Sequence, residues 1–348
     1  TFYKLSIKEI RKETDNSVSI VFNIPDHLKK EFDFIPGQYI NIKKEINGEE
    51  LHRAYSISSS HKSGIIRIGV KAVKGGIFSV YATTQLKVGE ILEVSSPEGR
   101  FNLKPDSSNK NNYLAFAAGS GITPILSMIT SVLETENNSN FVLVYGNRTP
   151  EDTMFKTEID ALQQKYSDNF FVHYVYSRVN ENDAIFGRID ISTSNFIIKN
   201  KYKDIKFNAI FLCGPEAMIY TLKEHLITTG FFENNIHFEL FSTSNIKTTI
   251  NENMNGETTI TIILDEDEQT FTMPKKKTIL EVALAKGLDA PYSCQGGICS
   301  TCLAQIVEGN AMMDKNTILS DDEVKDGLIL TCQAHPTTDK IIIDYDAV

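Results

Sequence analysis

The stretch YSCQGGICSTC, residues 292–302, sets Cys294, Cys299 and Cys302 in a C-x4-C-x2-C pattern, and Cys332 follows after 29 residues. The fifth cysteine, Cys213, stands far from the rest. Gathering four thiols from one loop and one later position forces the surrounding chain into a small module closed around that loop. The spacing is that of a 2Fe-2S cluster held by four thiolates. Gly296 and Gly297 suit it, because a loop wrapped over bridging sulfides brings main-chain N–H groups close without side chains in the way. A Cys3His zinc site made of Cys299, Cys302, Cys332 and His335 has suitable ligand types as well. It leaves Cys294 and both glycines without a role.

Two other rhythms precede the cysteine module. Over 1–105, short runs such as VSIVFNIP, GQYINIK, RAYSISS, IIRIGVKAV and EILEVSS are separated by Gly, Pro, Asn and Ser, which predicts a closed antiparallel β-barrel. Over 106–242 strand-like and helix-like runs alternate. YLAFAAGSG, FVLVYGNR, FFVHYVYSR, NAIFLCG and IHFELFS read as strands, whereas PILSMITSVLE, EDTMFKTEIDALQQKY and PEAMIYTLKEHLITTG read as helices. This predicts an α/β domain with a parallel sheet covered on both faces. Residues 243–257 are polar and aperiodic, as in a linker. Residues 258–348 read as an α+β module, with strands at TTITIIL, EQTFTM, LAQIV and IIIDY and a helix at TILEVALAKG. A chain of 348 residues has room for three such cores.

The formal charge of -10 argues against nucleic acid as a partner. From Thr258 onward there are 15 Asp and Glu against 7 Lys and Arg, so the last module is either a solvated acidic surface or a docking face for a basic partner. No apolar run is long enough to cross a bilayer, and the opening TFYKLSIKEIRKET lacks the order of a signal peptide. Four crowded cysteines do not form a secreted disulfide framework. The expectation is a cytoplasmic protein with no membrane partner.

Arg53, in RAYS on a barrel strand, and the helix start at Gly75 and Gly76 together make a pyrophosphate site, in which a guanidinium fork and free main-chain N–H groups share the charge. Tyr55 offers a flat face to a flavin ring or a hydroxyl to its side chain. AAGSGITP at 117–124 sits where a nucleotide fold binds its ligand, after the first strand and before the first helix. CGPEAM at 213–218 makes a second strand-to-helix corner at the same sheet edge. A lone cysteine such as Cys213 is otherwise an ordinary small buried hydrophobe.

In that order, PGQY, RAYS, GSGITP, YGNR, CGPEAM and ELF resemble the ferredoxin-NADP reductase superfamily, and CQGGICSTC resembles its branch with a C-terminal plant-type 2Fe-2S ferredoxin domain of β-grasp form. The resemblance spans nearly the whole chain. It implies FAD, a 2Fe-2S cluster on Cys294, Cys299, Cys302 and Cys332, and NADPH or NADH. On the barrel it implies cofactor contacts from Arg53, Ala54, Tyr55, Ser56, Val70, Lys71, Gly75, Gly76, Phe78 and Ser79. On the nucleotide side it implies contacts from Gly119, Gly121, Thr123, Arg148, Ser177, Arg178, Cys213, Gly214, Pro215 and Met218, with Phe241 covering the flavin. Ser56, Cys213 and Glu239 are the implied catalytic network, and Ser177 with Arg178 suits a 2'-phosphate. With GRID and HFELF added, the motifs are most similar to the reductase subunits of phenylacetyl-CoA epoxidases. The implied activity is an NAD(P)H oxidoreductase passing electrons through FAD and the cluster to an oxygenase component, a multisubunit di-iron phenylacetyl-CoA epoxidase. Other acceptors (a ring-hydroxylating dioxygenase, a steroid hydroxylase, a hybrid-cluster protein) and a redox sensor without turnover stay open.

Overall fold

In the computed structural model, residues 1–241 and 256–348 are described, and the expected linker at 243–257 lies outside them except for its last two residues. The chain divides into two compact units, Thr1–Phe241 and Ser242–Val348.

The first unit opens with six antiparallel strands: β1 (Phe2–Thr14), β2 (Ser17–Asn23), β3 (Tyr39–Ile46), β4 (Glu49–Ser56), β5 (Arg67–Lys71) and β6 (Ile91–Ser95). They pair in the order β4-β3-β6-β1-β2-β5. The sheet curls until its two edges meet, through a bridge between Ile57 and Ile68 and a 2.7 Å bond from Ser58 N to Arg67 O. Its inside is filled by Ile7, Ile20, Ile40, Ile42, Ile68 and Val94, all buried. Helix α1 (Ile77–Thr84) follows β5 and buries Phe78 and Ala82 in the same core.

The same unit then builds a parallel sheet from β7 (Asn112–Ala118), β8 (Asn140–Asn147), β9 (Phe170–Tyr176), β10 (Ile185–Phe186), β11 (Ala209–Gly214) and β12 (Ile236–Leu240), in the order β10-β9-β8-β7-β11-β12. Its helices are α2 (Ile122–Thr135), α3 (Lys156–Lys165), α4 (Ile191–Asn195) and α5 (Glu216–Thr228). Strand order reverses between β7 and β11. The crevice there, at the carboxyl ends, is where such sheets take ligands.

Barrel and parallel sheet are joined by polar contacts. Arg67 on β5 makes a two-pronged pair with Glu158 on α3, at 2.8 and 2.9 Å, and lies over the Phe155 ring at 5.0 Å. Ser127 on α2 donates to Ser59 O at 2.7 Å, and Ser60 donates to Glu134. The expected helix over EDTMFKTEIDALQQKY is shorter in the structure. Residues Pro150–Asp152 form a single tight turn, Phe155 adopts a left-handed φ of 58°, and regular helix begins at Lys156. The bend lets Met154 and Phe155 bury themselves before the helix sets off.

The second unit holds β13 (Glu257–Leu264), β14 (Asp267–Pro274), α6 (Ile279–Ala285), β15 (Leu303–Glu308), β16 (Ala311–Met313), α7 (Asp321–Lys325), β17 (Leu328–Leu330), β18 (Ala334–Pro336) and β19 (Lys340–Asp344). A mixed five-stranded sheet, β14-β13-β19-β15-β17, carries α6 against its core. Pairing of Glu257 with Pro274 starts the first strand at Glu257, inside the expected linker. A capping box between Thr278 and Glu281 fixes where α6 begins. No helix among the described residues is long and apolar enough to cross a membrane.

Candidate redox site

Ser56 ends β4 with its hydroxyl buried, and Oγ donates to Glu239 Oε2 on β12 at 3.1 Å. In the parallel register Glu239 stands beside Cys213, the penultimate residue of β11. Cys213 is fully buried. Burial, and after it the Glu239 charge, holds its thiol well above the ordinary range, so the sulfur stays neutral. The barrel strand carrying RAYS thus meets the two nucleotide-sheet strands carrying CGPEAM and HFELF.

The two strand-to-helix corners converge at the same place. A side chain at Gly121 would come within 2.2 Å of Cys213 O, so only glycine lets the Gly119–Gly121 turn approach Cys213 and Gly214. Gly214 is in turn pressed by Met218 and Ala118. Helices α2 and α5 begin there, at Gly121 and Pro215, with no side chain capping their first N–H groups. Such ends suit phosphate. Thr123 donates to Ser120 O at 3.0 Å, and its methyl leaves no room for a side chain at Gly69 of β5. Tyr145, buried on β8, donates to Gly119 O at 3.0 Å and ties the turn to the sheet.

On the barrel, the N-terminus of α1 at Gly76 is likewise uncapped by any side chain. Ser79 Oγ faces back toward it, accepting from Val73 N at 3.3 Å. Tyr55 packs against Phe78 at 5.6 Å, and burial pushes its hydroxyl well above the usual phenol range. Arg53 is exposed and donates to His52 O, and Ala54 is half-buried beside it. Val70 differs from expectation: its side chain is core, which leaves only its main chain to a ligand. Lys71 faces the nucleotide sheet. Burial lowers its amine, with Asp152 opposing and Arg148 assisting. At the carboxyl ends of β8 and β9, Ser177 N bonds Asn147 O at 3.1 Å and Arg178 N bonds Arg148 O at 3.0 Å. Both lie just past β9, which ends at Tyr176, and so Arg148, Ser177 and Arg178 form one basic corner. Phe241 follows β12 and is 40% exposed.

In the second unit the cysteine loop is irregular, with Gln295 and Gly297 at φ 49° and 69°. A side chain at Gly297 would fall 2.6 Å from Lys315 O. Thr317 donates to Gly297 O at 2.8 Å and Gln333 to Gln295 O at 3.0 Å, which braces the loop from outside. Cys299 Sγ lies 3.1 Å from Cys294 Sγ, and Cys332 is within hydrogen-bonding reach of both Cys294 and Cys302. Gly296 N points at Cys294 Sγ from 3.4 Å. Four adjacent sulfurs with main-chain donors turned toward them fit a thiolate-held cluster. His335 does not join them: Nε2 meets Asp314 at 3.0 Å and Nδ1 meets Lys275 O at 3.3 Å. The Cys3His zinc alternative therefore lacks its fourth ligand.

Sequence reasoning missed Arg67, Phe155, Glu158 and Tyr145. Each acts through a partner distant in sequence, and no local pattern marks it.

Three family models match in order: an oxidoreductase FAD-binding domain over residues 4–103, an oxidoreductase NAD-binding domain over 116–224, and a 2Fe-2S iron-sulfur cluster binding domain over 262–337. The chain is 36% identical to one of the subunits of the 1,2-phenylacetyl-CoA epoxidase of Escherichia coli (strain K12), over 100% of this chain and 98% of that one. It is 30% identical to the ferredoxin reductase component of 3-ketosteroid-9-alpha-monooxygenase from Rhodococcus rhodochrous, over 98% and 96%. Among solved structures, phthalate dioxygenase reductase superposes with a TM-score of 0.59 at 24% identity, over 99% of this chain and 98% of that one, a likeness of fold. FAD, NAD(P)H and a 2Fe-2S cluster are thus the cofactors of an oxidoreductase, and the chain belongs to the ferredoxin-NADP reductase superfamily, in the branch that adds a C-terminal 2Fe-2S domain to the flavin and nucleotide domains.

Proposed function

We propose that this chain is the reductase component of a multicomponent monooxygenase that acts on phenylacetyl-CoA, with a di-iron oxygenase as electron acceptor, NADPH as donor and the cytoplasm as its location. The partner reading is supported by the full-length 36% identity to the epoxidase component, against 30% for the ketosteroid reductase. The reductase reading rests on one observation above all: the bond from Ser56 to Glu239, beside Cys213.

When bound, the flavin takes an electron pair from nicotinamide and the cluster accepts electrons singly, which lets a pair donor serve a one-electron acceptor. The chain's own residues prepare that exchange. Glu239 holds the Ser56 proton, so the Ser56 oxygen keeps lone pairs free to accept a hydrogen bond at the flavin edge. Cys213, kept neutral by burial and by Glu239, gives nicotinamide a small uncharged surface without a competing thiolate. Arg53 and the first turn of α1, which no side chain caps, hold the FAD pyrophosphate. Arg178, Arg148 and Ser177 hold the 2'-phosphate.

Anaerobic NADPH should bleach the flavin within seconds, and NADPH should drive oxidation of phenylacetyl-CoA when the candidate oxygenase is added. An active reductase that yields no coupled product would move the acceptor to another oxygenase. Arg178→Ala should lower the ratio of NADPH to NADH efficiency by roughly 10- to 100-fold, the loss of one charge-assisted hydrogen bond. An unchanged ratio would remove the 2'-phosphate role.

A further inference from the structure

Among the described residues of the second unit, two buried hydroxyls have no hydrogen-bond partner, Thr258 Oγ1 on β13 and Ser293 Oγ. Ser293 is 5% exposed and immediately precedes Cys294. In the cysteine loop and against it, other polar side chains are engaged: Thr317 with Gly297 O, Gln333 with Gln295 O, Thr331 with Cys302 O, and Tyr345 with Thr331. A hydroxyl shut away from water without an acceptor is destabilising, and native proteins seldom leave one so. Ser293 adjoins Cys294 in the chain, and sulfur is an acceptor that the cluster would add beside that cysteine.

We infer that Ser293 donates its hydroxyl proton to a sulfur of the cluster held by Cys294, Cys299, Cys302 and Cys332, and thereby raises the cluster's reduction potential. The inference rests on those four cysteines being the ligands. Reduction adds one negative charge to the iron-sulfur unit, so a hydrogen bond to its sulfur is stronger in the reduced state than in the oxidised state. Removing the bond costs the reduced form more. Ser293 is then a tuning residue, setting how far the cluster accepts electrons at a given poise without touching nicotinamide or flavin.

The test is a potentiometric titration of the whole protein, followed by the electron paramagnetic resonance of the reduced cluster, in Ser293→Ala, Ser293→Thr and Thr258→Val. Ser293→Ala should lower the reduced-to-oxidised ratio at fixed poise by about tenfold, a midpoint about 59 mV more negative for a one-electron couple. Ser293→Thr keeps a hydroxyl and should keep the wild-type midpoint. Thr258→Val removes the other unpartnered hydroxyl, on a strand that carries no cysteine, and should leave the midpoint alone. A wild-type midpoint in Ser293→Ala with full iron and sulfide would overturn the inference. So would a Ser293→Thr midpoint that follows Ser293→Ala, or an equal shift in Thr258→Val. If Ser293→Ala fails to retain iron, Ser293→Gly carries the same titration with the same two outcomes. Wild-type protein without iron and acid-labile sulfide would overturn the cysteine assignment itself, a result distinct from an unmoved midpoint.

Discussion

Ser56 and Arg53 lie on one strand, three residues apart, and their surroundings give them opposite tasks. Ser56 is 5% exposed and its hydroxyl donates to Glu239, whereas Arg53 is exposed and its guanidinium donates to the adjacent His52 carbonyl. Ser56→Ala should therefore slow anaerobic flavin reduction by roughly 10- to 100-fold, the value of a hydrogen bond to a charged group, while FAD stays bound. Arg53→Ala should release FAD on dilution and leave the reduction of the flavin that remains nearly unchanged. Stopped-flow absorbance with a flavin-retention assay separates the two, and identical behaviour would mean that the strand has been misread. At this scale the short motifs were legible because glycine, proline and cysteine mark special backbone. The Ser56–Glu239 contact spans 183 residues of sequence. Family resemblance alone pointed to it, since no periodicity relates positions so far apart.

Among the elements, β1 is the longest strand that sequence pattern did not reveal, although it pairs with both β2 and β6 and runs for 13 residues; the short β10, β16, β17 and β18 were missed as well. Its register shifts between Ile7 and Glu9 and again between Lys12 and Thr14. Each shift resets the inside-outside alternation, so a search for period two loses the strand. Strand β9 was legible, and its own chemistry yields a prediction. His173 meets Tyr202 OH at 2.7 Å; burial, then the Lys201 charge, lowers its pKa to about 4. An unfolded histidine titrates near 6.5, so between about pH 6.5 and about 4 the unfolded state binds the proton that the folded state refuses. Stability should fall as pH drops through that window and level off below it, by at most about 3 kcal/mol and by less where solvent reaches the ring. Chemical denaturation at stepped pH should show a shallower acid-side slope in His173→Gln than in wild type. Equal slopes would mean that His173 titrates alike in both states.

For the whole molecule, the changes of rhythm near residues 105 and 242 predict three domains, and three family models match in the same order. That residues 1–241 form one compact unit was not legible in the sequence. The joint is made by Arg67, Phe155, Glu158, Ser59 and Ser127, residues whose types say nothing alone. The second unit carries the acidity that the sequence foretold. Asp265 and Glu266 at the β13–β14 turn and Asp267 and Glu268 at the start of β14 are exposed, and Asp346 accepts from the N–H groups of Asp265 and Glu266 at 2.9 and 2.8 Å, which adds a further carboxylate there. Asp321, Asp322 and Asp326, also exposed, form a separate group at α7, by the opposite edge strand β17, where Asp322 is paired with Lys325. Exposed acids of one sign steer a basic partner over distances set by the Debye length, about 10 Å at 0.1 M salt and about 3 Å at 1 M. Electron transfer from the pre-reduced protein to its oxygenase should therefore slow by roughly 10-fold or more across that range, mainly through association. Reduction of the cluster within the chain by saturating NADPH, followed by its own absorbance, should change far less. Replacing Asp265, Glu266, Asp267 and Glu268 by their amides should flatten the salt dependence and lower the low-salt rate. If the intermolecular rate is indifferent to salt in the wild-type protein, the acidic turn is a solvated surface and docking rests on other contacts.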